Sequence, residues 1–261
     1  MTSIILSSDD PALEQQLGER LAKALDYQHV GRALLAEIAA ERGVQEEKLS
    51  RALEPAVRRP ATRGGNLLRS AVQSRTTAAL LADSVVCTGL AAHLYVKDVS
   101  HILMMRVLAG PEAPQGLPPR EQKRAQRKRA RRARWSLETF GVNGEDPANY
   151  DMVISLNNID KRKLVELIGD MVGYRKFQPM TYSKRCLQDQ ATAAAVRTAL
   201  LPTFPEINVR ADGDAAIVHV RCSKRQKQCT AEAVKSVAGQ VPGVRRVEVH
   251  AVQRSRDLEK K

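Results

Sequence analysis

Short apolar segments alternate with helical segments over residues 1–173, and this alternation restricts the possible folds of the chain more than any other feature. The apolar segments lie at residues 3–8 (SIILSS), 84–89 (SVVCTG), 101–108 (HILMMRVL) and 150–156 (YDMVISL). Apolar runs this short are typical of strands that are buried on both faces of a parallel sheet. The alternation therefore predicts an α/β unit in which helices cover a parallel sheet on both sides.

The helix after the first strand has the clearest pattern. Leucine recurs at every fourth position from Leu13 to Leu25, with polar residues between, which places one apolar stripe against a core. Asp10 followed by Pro11 predicts the N-terminal cap and the first turn of this helix. Further helices are predicted at residues 32–42, from about residue 45, and at residues 67–81.

Turn-forming residues separate these elements. Residues 58–66 (RRPATRGGN) and the four-proline stretch 110–119 predict loops, because proline removes backbone donors and interrupts helices. The polar and basic stretch 174–186 predicts a linker between two domains.

A different pattern follows the linker. It predicts a helix at residues 187–201, strands at 207–209 and 216–220 around a DGD turn, a helix at 231–238 and a strand at 247–252. The predicted organisation is an α/β domain at residues 1–173, a linker at 174–186, a small α+β domain of αββαβ order at 187–252, and a charged tail at 253–261.

Composition limits the class of protein. At 261 residues, 43% of them hydrophobic, the chain is long enough for two domains with cores of their own. It lacks both a run of about 18 apolar residues and a leader-like N-terminus, so we expect a cytoplasmic protein. The four cysteines have no CxxC spacing and the histidines are scattered, so we expect reduced thiols and no metal site.

Most of the formal net charge of +13 lies in one predicted helix. Residues 120–134 contain nine basic residues and one acid, Glu121, which leaves +8 in this segment. The candidates for binding phosphates or another polyanion are Arg120, Arg124, Arg127, Lys128, Arg131, Arg132 and Arg134. The pattern fits a solvated helix face as well as a surface for nucleotide phosphates or RNA. Trp135 is the one aromatic residue beside this run, so base stacking is not indicated.

Several short motifs occur in a recognisable order over residues 1–173. They are LDY at 25–27, VVCTG at 85–89, RRARW at 131–135 and DPANYD at 146–151. In these motifs the chain resembles the cytidylate kinase-like family, a branch of the P-loop nucleoside monophosphate kinases. The resemblance implies a three-layer kinase-like domain in which Arg131, Arg132 and Arg134 match lid arginines that contact the transferring phosphoryl group in relatives.

The loop that performs the chemistry in such kinases is altered here. A glycine-rich turn is needed between the first strand and helix, because only backbone without side chains can surround phosphate oxygens with N–H groups. The corresponding segment, SSDDPALE, has no glycine and no lysine, and its proline lacks an N–H donor. Its three acids would also repel a triphosphate. The positions of this degenerate loop are Ser7, Ser8, Asp9, Asp10, Pro11, Ala12, Leu13 and Glu14.

Three further positions depart from the family pattern. The aspartate expected after Tyr27 is replaced by HVG at residues 29–31, the expected Gly-Arg is Gly89-Leu90, and the aspartate of the lid helix falls near Arg129. Four changes at chemical positions, with scaffold motifs preserved, predict that catalysis was lost, so no catalytic residue is assigned.

The C-terminal segment at residues 187–252 resembles a BON domain. The similarity rests on the αββαβ order, the Asp212-Gly213 turn and the VPGVRRV segment at 241–247. The resemblance implies a binding module for lipid surfaces or partners.

The leading hypothesis is a kinase-like protein without catalysis that binds a nucleotide or a protein partner for regulation. One alternative is an active cytidylate or nucleoside monophosphate kinase with an atypical loop, and another is an RNA- or ribosome-associated protein that uses the basic helix. No cofactor is expected, a nucleotide is a possible ligand, and a protein partner could bind the C-terminal domain.

Overall fold

The first unit of the chain is built on a parallel sheet. The structure, a computed structural model, describes residues 1–54, 62–109, 118–157 and 159–253. The strands are β1 (Ser3–Ser8), β2 (Gln28–Val30), β3 (Val85–Thr88), β4 (Ile102–Leu108) and β5 (Met152–Ser155). Their order in the sheet is β2-β3-β1-β4-β5, and all neighbours pair in parallel. This arrangement confirms the predicted α/β class.

Helices cover both faces of this sheet. They are α1 (Pro11–Leu25), α2 (Arg32–Arg42), α3 (Glu46–Ala52), α4 (Arg63–Leu80), α5 (Pro119–Phe140) and α6 (Lys161–Val172). The leucine stripe of α1 packs with Leu164 and Ile168 of α6 on one face. Helices α2, α3 and α4 pack on the other face, where Ile38, Leu49 and Val72 are fully buried. Each such side chain contributes about 1.5–3 kcal/mol by leaving water.

Helix α1 begins where the sequence predicts. The Asp10 carboxylate accepts hydrogen bonds from the backbone N–H groups of Ala12 (2.9 Å) and Leu13 (3.3 Å), which have no partners within the helix. At the other end Asp26 has a left-handed backbone (φ 56°), and its N–H donates to the carbonyl of Ala22. These caps fix the side chains of the first turn beside the end of β1.

Some predicted boundaries were wrong. Helix α4 begins at Arg63, so the last part of the predicted loop 58–66 is helical, and the Thr62 hydroxyl accepts from the N–H of Gly65 at 3.1 Å. Helix α5 begins at Pro119, the last residue of the predicted loop 110–119. Residues 58–61 and 110–117 lie outside the described residues. Strand β2 and helix α6 were not predicted.

The second unit has the predicted αββαβ order. It contains α7 (Thr181–Leu200), β6 (Ile207–Asp212), β7 (Ala215–Cys222), α8 (Lys227–Ala238) and β8 (Arg246–Gln253). Strand β7 pairs antiparallel with β6 and parallel with β8 in a three-stranded mixed sheet. The helix begins six residues before predicted position 187, so residues 181–186, predicted as linker, are helical. Of the predicted tail 253–261, only Gln253 lies within the described residues.

Helix α7 joins the two units. Leu187 is buried in the core beneath α4, while Val196 and Leu200 belong to the core of the small sheet. The hydroxyls of Ser70 on α4 and Thr198 on α7 form a hydrogen bond of 2.8 Å. The two cores are thus separate but share one helix.

Three further features of the described residues concern membrane spans, metal ligands and cysteines. Within the ranges given above, no helix has the length and hydropathy needed to cross a bilayer. The described part of the chain likewise has no cluster of three or more potential metal ligands among its His, Cys, Asp and Glu side chains. All four cysteines are free thiols.

Candidate functional site

A cavity of about 690 Å³ lies at the carboxyl ends of β1, β3 and β4. The sheet order changes direction between β3 and β1, because the chain crosses from one side of β1 to the other after β3. Ligands of open α/β sheets bind in the crevice that forms at such a point. The walls come from the β1–α1 turn, helices α2, α3 and α5, and the loops after β3 and before β5.

Residues 7–14, predicted to be a degenerate phosphate loop, form one wall of this cavity. The members that line it are Ser7, Ser8, Pro11, Ala12 and Glu14. The other members do not line the cavity and have structural roles: Asp9 accepts from the N–H of Ala109 at 2.9 Å, Asp10 caps α1, and Leu13 is buried between α1 and the sheet. Hydrogen bonds to β4 and to the residue after it hold this segment in place, including one of 2.7 Å from the Ser8 hydroxyl to the Val107 carbonyl.

Glu14 occupies the centre of this wall. One carboxylate oxygen accepts from the N–H of Ser8 at 3.1 Å and the other from the N–H of Gly89 at 2.6 Å. Burial raises the pKa of Glu14 to about 7, although both N–H groups and the charges of Arg132 and Arg106 act in the opposite direction. Backbone donors that could hold an external anion are thus engaged by a carboxylate of the protein.

Arg106 is the most buried cation of the cavity wall, with 4% of its surface exposed. Its guanidinium donates to the Glu145 carboxylate at 2.5 Å, to the Gly144 carbonyl at 2.9 Å and to the Tyr150 hydroxyl at 3.3 Å. Burial opposes the charge, but Tyr150 and Glu145 outweigh it and raise the pKa of Arg106 above its usual value. This cluster fixes the loop before β5 against the end of β4.

The predicted basic residues separate into two groups on α5. Arg131 and Arg132 line the cavity beside Trp135, and Arg132 lies 3.9 Å from the Glu145 carboxylate. The predicted lid arginine Arg134 does not line it, because its exposed guanidinium pairs with Glu138 at 2.7 Å.

Among the side chains that the structure describes in the first half of α5, none lines the cavity. Arg120, Arg124 and Arg127 are exposed there, and the side chain of Lys128 lies outside the described residues. Of the seven predicted basic candidates, the structure therefore brings Arg131 and Arg132 to the cavity.

The histidine at the cavity is uncharged. His93 stacks on Tyr150 with ring centroids 5.9 Å apart, and burial lowers its pKa to about 3, with Arg106 and Arg132 acting in the same direction. His93 therefore contributes a neutral polar side chain to the cavity lining at physiological pH.

Sequence reasoning missed Arg32, Arg106 and Glu145 as lining residues. Arg106 had a detectable signal, since an arginine within the apolar segment ILMMRVL is a charge that burial would force to find a partner. Nothing in the sequence identified that partner as Glu145.

The cavity lining combines cationic, acidic and apolar side chains. Four arginines line the cavity, namely Arg32, Arg106, Arg131 and Arg132. Three glutamates, Glu14, Glu54 and Glu145, line it as well, together with apolar side chains. Guanidinium groups hold phosphates through paired hydrogen bonds. The run of free backbone N–H groups that surrounds a triphosphate is not formed by residues 7–14.

Comparison with known proteins gives one family match. A sequence model of the cytidylate kinase-like family matches residues 12–158. A search of curated proteins finds no significant match.

Two solved structures resemble the chain at low identity. An uncharacterized protein from Eubacterium ventriosum is 12% identical, with a TM-score of 0.44 over 67% of this chain and all of that chain. Shikimate kinase from Acinetobacter baumannii, in complex with shikimate, is 13% identical, with a TM-score of 0.39 over 68% of this chain and 96% of that chain.

Proposed function

We propose that this chain, which belongs to the cytidylate kinase-like family, is a catalytically degenerate member that binds a nucleotide or a similar phosphate-bearing ligand for regulation. The observation that carries the proposal is the Glu14 carboxylate on the N–H groups of Ser8 and Gly89. Those donors lie where the sheet changes direction, and an acid beside them disfavours a nucleoside triphosphate.

Loss of phosphoryl transfer follows from what such transfer requires. Catalysis in this fold is mostly the positioning of phosphates and the compensation of their charge by backbone N–H groups, a lysine and a metal ion. The β1–α1 turn has no glycine or lysine, and Pro11 occupies the first position of α1, where an N–H would otherwise point at a phosphate.

Binding of a smaller ligand remains compatible with the cavity. Its volume of about 690 Å³ is within the range of roughly 300–1,000 Å³ that small-molecule sites occupy. Arg131 and Arg132 supply cationic donors, while Trp135 and Leu53 supply apolar surface for a base. A nucleoside monophosphate, with one phosphate for the arginines and one base for the apolar surface, matches this lining better than a triphosphate does.

The C-terminal unit is proposed to be a BON-like module that binds a protein or lipid partner. Its mixed sheet has a core of its own, with Val196, Val218 and Val234 fully buried. Because α7 also packs on α4, a partner on this unit could report on the state of the α/β unit.

Calorimetric titration with CMP and with ATP tests the proposal. We expect CMP to bind and Arg131→Gln/Arg132→Gln to weaken it at least tenfold, since each lost charge-assisted hydrogen bond contributes about 1.5–3 kcal/mol. Arg124→Gln/Arg134→Gln is the matched control, because it removes the same two charges from α5 outside the cavity.

A coupled assay with ATP and CMP should show no turnover. Turnover that disappears in Arg131→Gln or Arg132→Gln would overturn the proposal in favour of the active kinase. The nucleotide site would be refuted if CMP did not bind, or if it bound Arg131→Gln/Arg132→Gln as tightly as the wild type.

RNA binding is a second candidate function, favoured by the exposed arginines of the first half of α5. Contacts to phosphates would make such binding fall steeply with salt. Arg124→Gln/Arg127→Gln should then weaken RNA binding and leave CMP binding unchanged. RNA binding that is insensitive to these changes would refute it.

A further inference from the structure

The N–H groups of Ser8 and Gly89 converge on one carboxylate. Ser8 ends β1, Gly89 follows β3, and the two strands are neighbours with Leu6 paired to Thr88. Gly89 has a left-handed backbone (φ 70°), which few other residues adopt without strain. The distances of 3.1 Å and 2.6 Å to the two oxygens of Glu14 are those of an anion held by two amide donors.

We propose that these two N–H groups form an oxyanion site whose resident anion is Glu14, and that a phosphate or sulfate group enters it only when Glu14 gives up its negative charge. The inference rests on the proposed function, because it assigns this site to the same ligand cavity. The inference adds that the protein's own Glu14 side chain controls access of the anion to this site, and we call this control the Glu14 gate.

Both anions cannot occupy the site together. Each N–H group donates one strong hydrogen bond, and two negative charges at contact distance in a partly dry site repel strongly. Glu14 lies in the first turn of α1 and faces a cavity of about 690 Å³, so a protonated side chain has space to turn away. The neutral acid also binds the two N–H groups less strongly, because it is a weaker acceptor than the carboxylate.

The groups around Glu14 determine the pH at which its side chain becomes neutral. The charged or titratable groups that face Glu14 are Cys87 on β3, Arg106 on β4, and Arg132 on α5. Burial raises the pKa of the Cys87 thiol, so it stays neutral, while Tyr150 and Glu145 raise the pKa of Arg106, so its guanidinium stays charged. Burial dominates for Glu14, and its pKa of about 7 places the change of charge near neutral pH.

The expected size of the effect follows from that value. If an anion binds only the form with neutral Glu14, its apparent dissociation constant is multiplied by one plus the ratio of ionised to neutral Glu14. With a pKa of about 7, lowering the pH from 8 to 6 should tighten binding about tenfold.

Sulfate is the probe, because its own charge does not change between these pH values. Calorimetric titrations of the full chain at constant ionic strength would compare pH 6 with pH 8. We expect sulfate to bind the wild type about tenfold more tightly at pH 6, and Glu14→Gln to bind at pH 8 as the wild type does at pH 6. Glu166→Gln is the control, since it removes the same charge from an exposed position on α6.

His29 is the nearby group that could imitate this pH dependence, since it contacts Thr88 at 2.9 Å, and burial lowers its pKa. A pH dependence that persists in Glu14→Gln would therefore overturn the gate and implicate His29. Wild-type sulfate binding that is absent, or equal at the two pH values, would also overturn it, even if Glu14→Gln fails to fold.

The proposed nucleotide site has a separate readout. CMP binding that depends on Arg131 and Arg132 would persist if the Glu14 gate failed. Sulfate binding controlled by Glu14 without any CMP binding would instead refute the nucleotide proposal alone.

Discussion

Replacing Arg106 with methionine should destabilise the protein by about 3–5 kcal/mol, because removing one partner of a buried ion pair leaves the other uncompensated. The Arg106 side chain is 5% exposed and that of Glu145 is 18% exposed, with 2.5 Å between the charged groups. The variant also removes the donors to the Gly144 carbonyl and the Tyr150 hydroxyl. Arg132, at 3.9 Å from Glu145, is too distant to replace these hydrogen bonds without moving.

Urea unfolding followed by circular dichroism would measure this loss. In a double-mutant cycle, Arg106→Met and Glu145→Gln should be non-additive by about 1.5–3 kcal/mol, since the second change removes the charge that the first leaves unpaired. Arg134→Met is the matched control, because its ion pair with Glu138 is exposed and should leave the unfolding midpoint unchanged. A loss below about 1 kcal/mol, or additive effects, would refute the structural role assigned to this pair.

Three further predictions concern stability and are all measured by urea unfolding. Because burial raises the pKa of Glu14 to about 7, its contribution is intact below the usual value of 4.5 and is lost as pH rises through 7. Glu14→Gln should therefore match the wild type near pH 4 and exceed it by up to about 3 kcal/mol at pH 8, and a pH-independent difference would contradict this. Asp10→Ala should cost about 1 kcal/mol through loss of the α1 cap, whereas Asp10→Asn should cost much less; equal losses would show that the cap is unimportant. Leu187→Ala should cost about 2–5 kcal/mol through the cavity left beneath α4, and a loss below about 1 kcal/mol would show that α7 is not anchored there.

Much of the fold could be predicted because its signals are local. The strands β1, β3 and β4 are continuous apolar runs, and α1 combines a leucine stripe with an aspartate cap and a proline. Residues 63–66 were predicted as a loop because glycines usually mark turns. In the structure they form the first turn of α4, where backbone N–H groups have no carbonyl partner within the helix. The Thr62 hydroxyl accepts from one of them, the N–H of Gly65.

The structure places only some of the predicted basic residues at the cavity. Arg131 and Arg132 line the cavity, whereas the exposed guanidinium of Arg134 pairs with Glu138 on the same helix. A run of arginines in the sequence carries no information about which of them face a cavity, because that depends on how α5 packs.

The sequence by itself determined that residues 7–14 contain neither the glycine nor the lysine of a phosphate-binding loop, and that Pro11 lacks an N–H donor. It also indicated that Glu14 would oppose a triphosphate. Only the tertiary structure decided that Glu14 holds the N–H of Gly89, a residue 75 positions away. The physical reason is that parallel pairing of β1 with β3 brings their carboxyl ends together, and no local pattern along the chain specifies the partner across that edge.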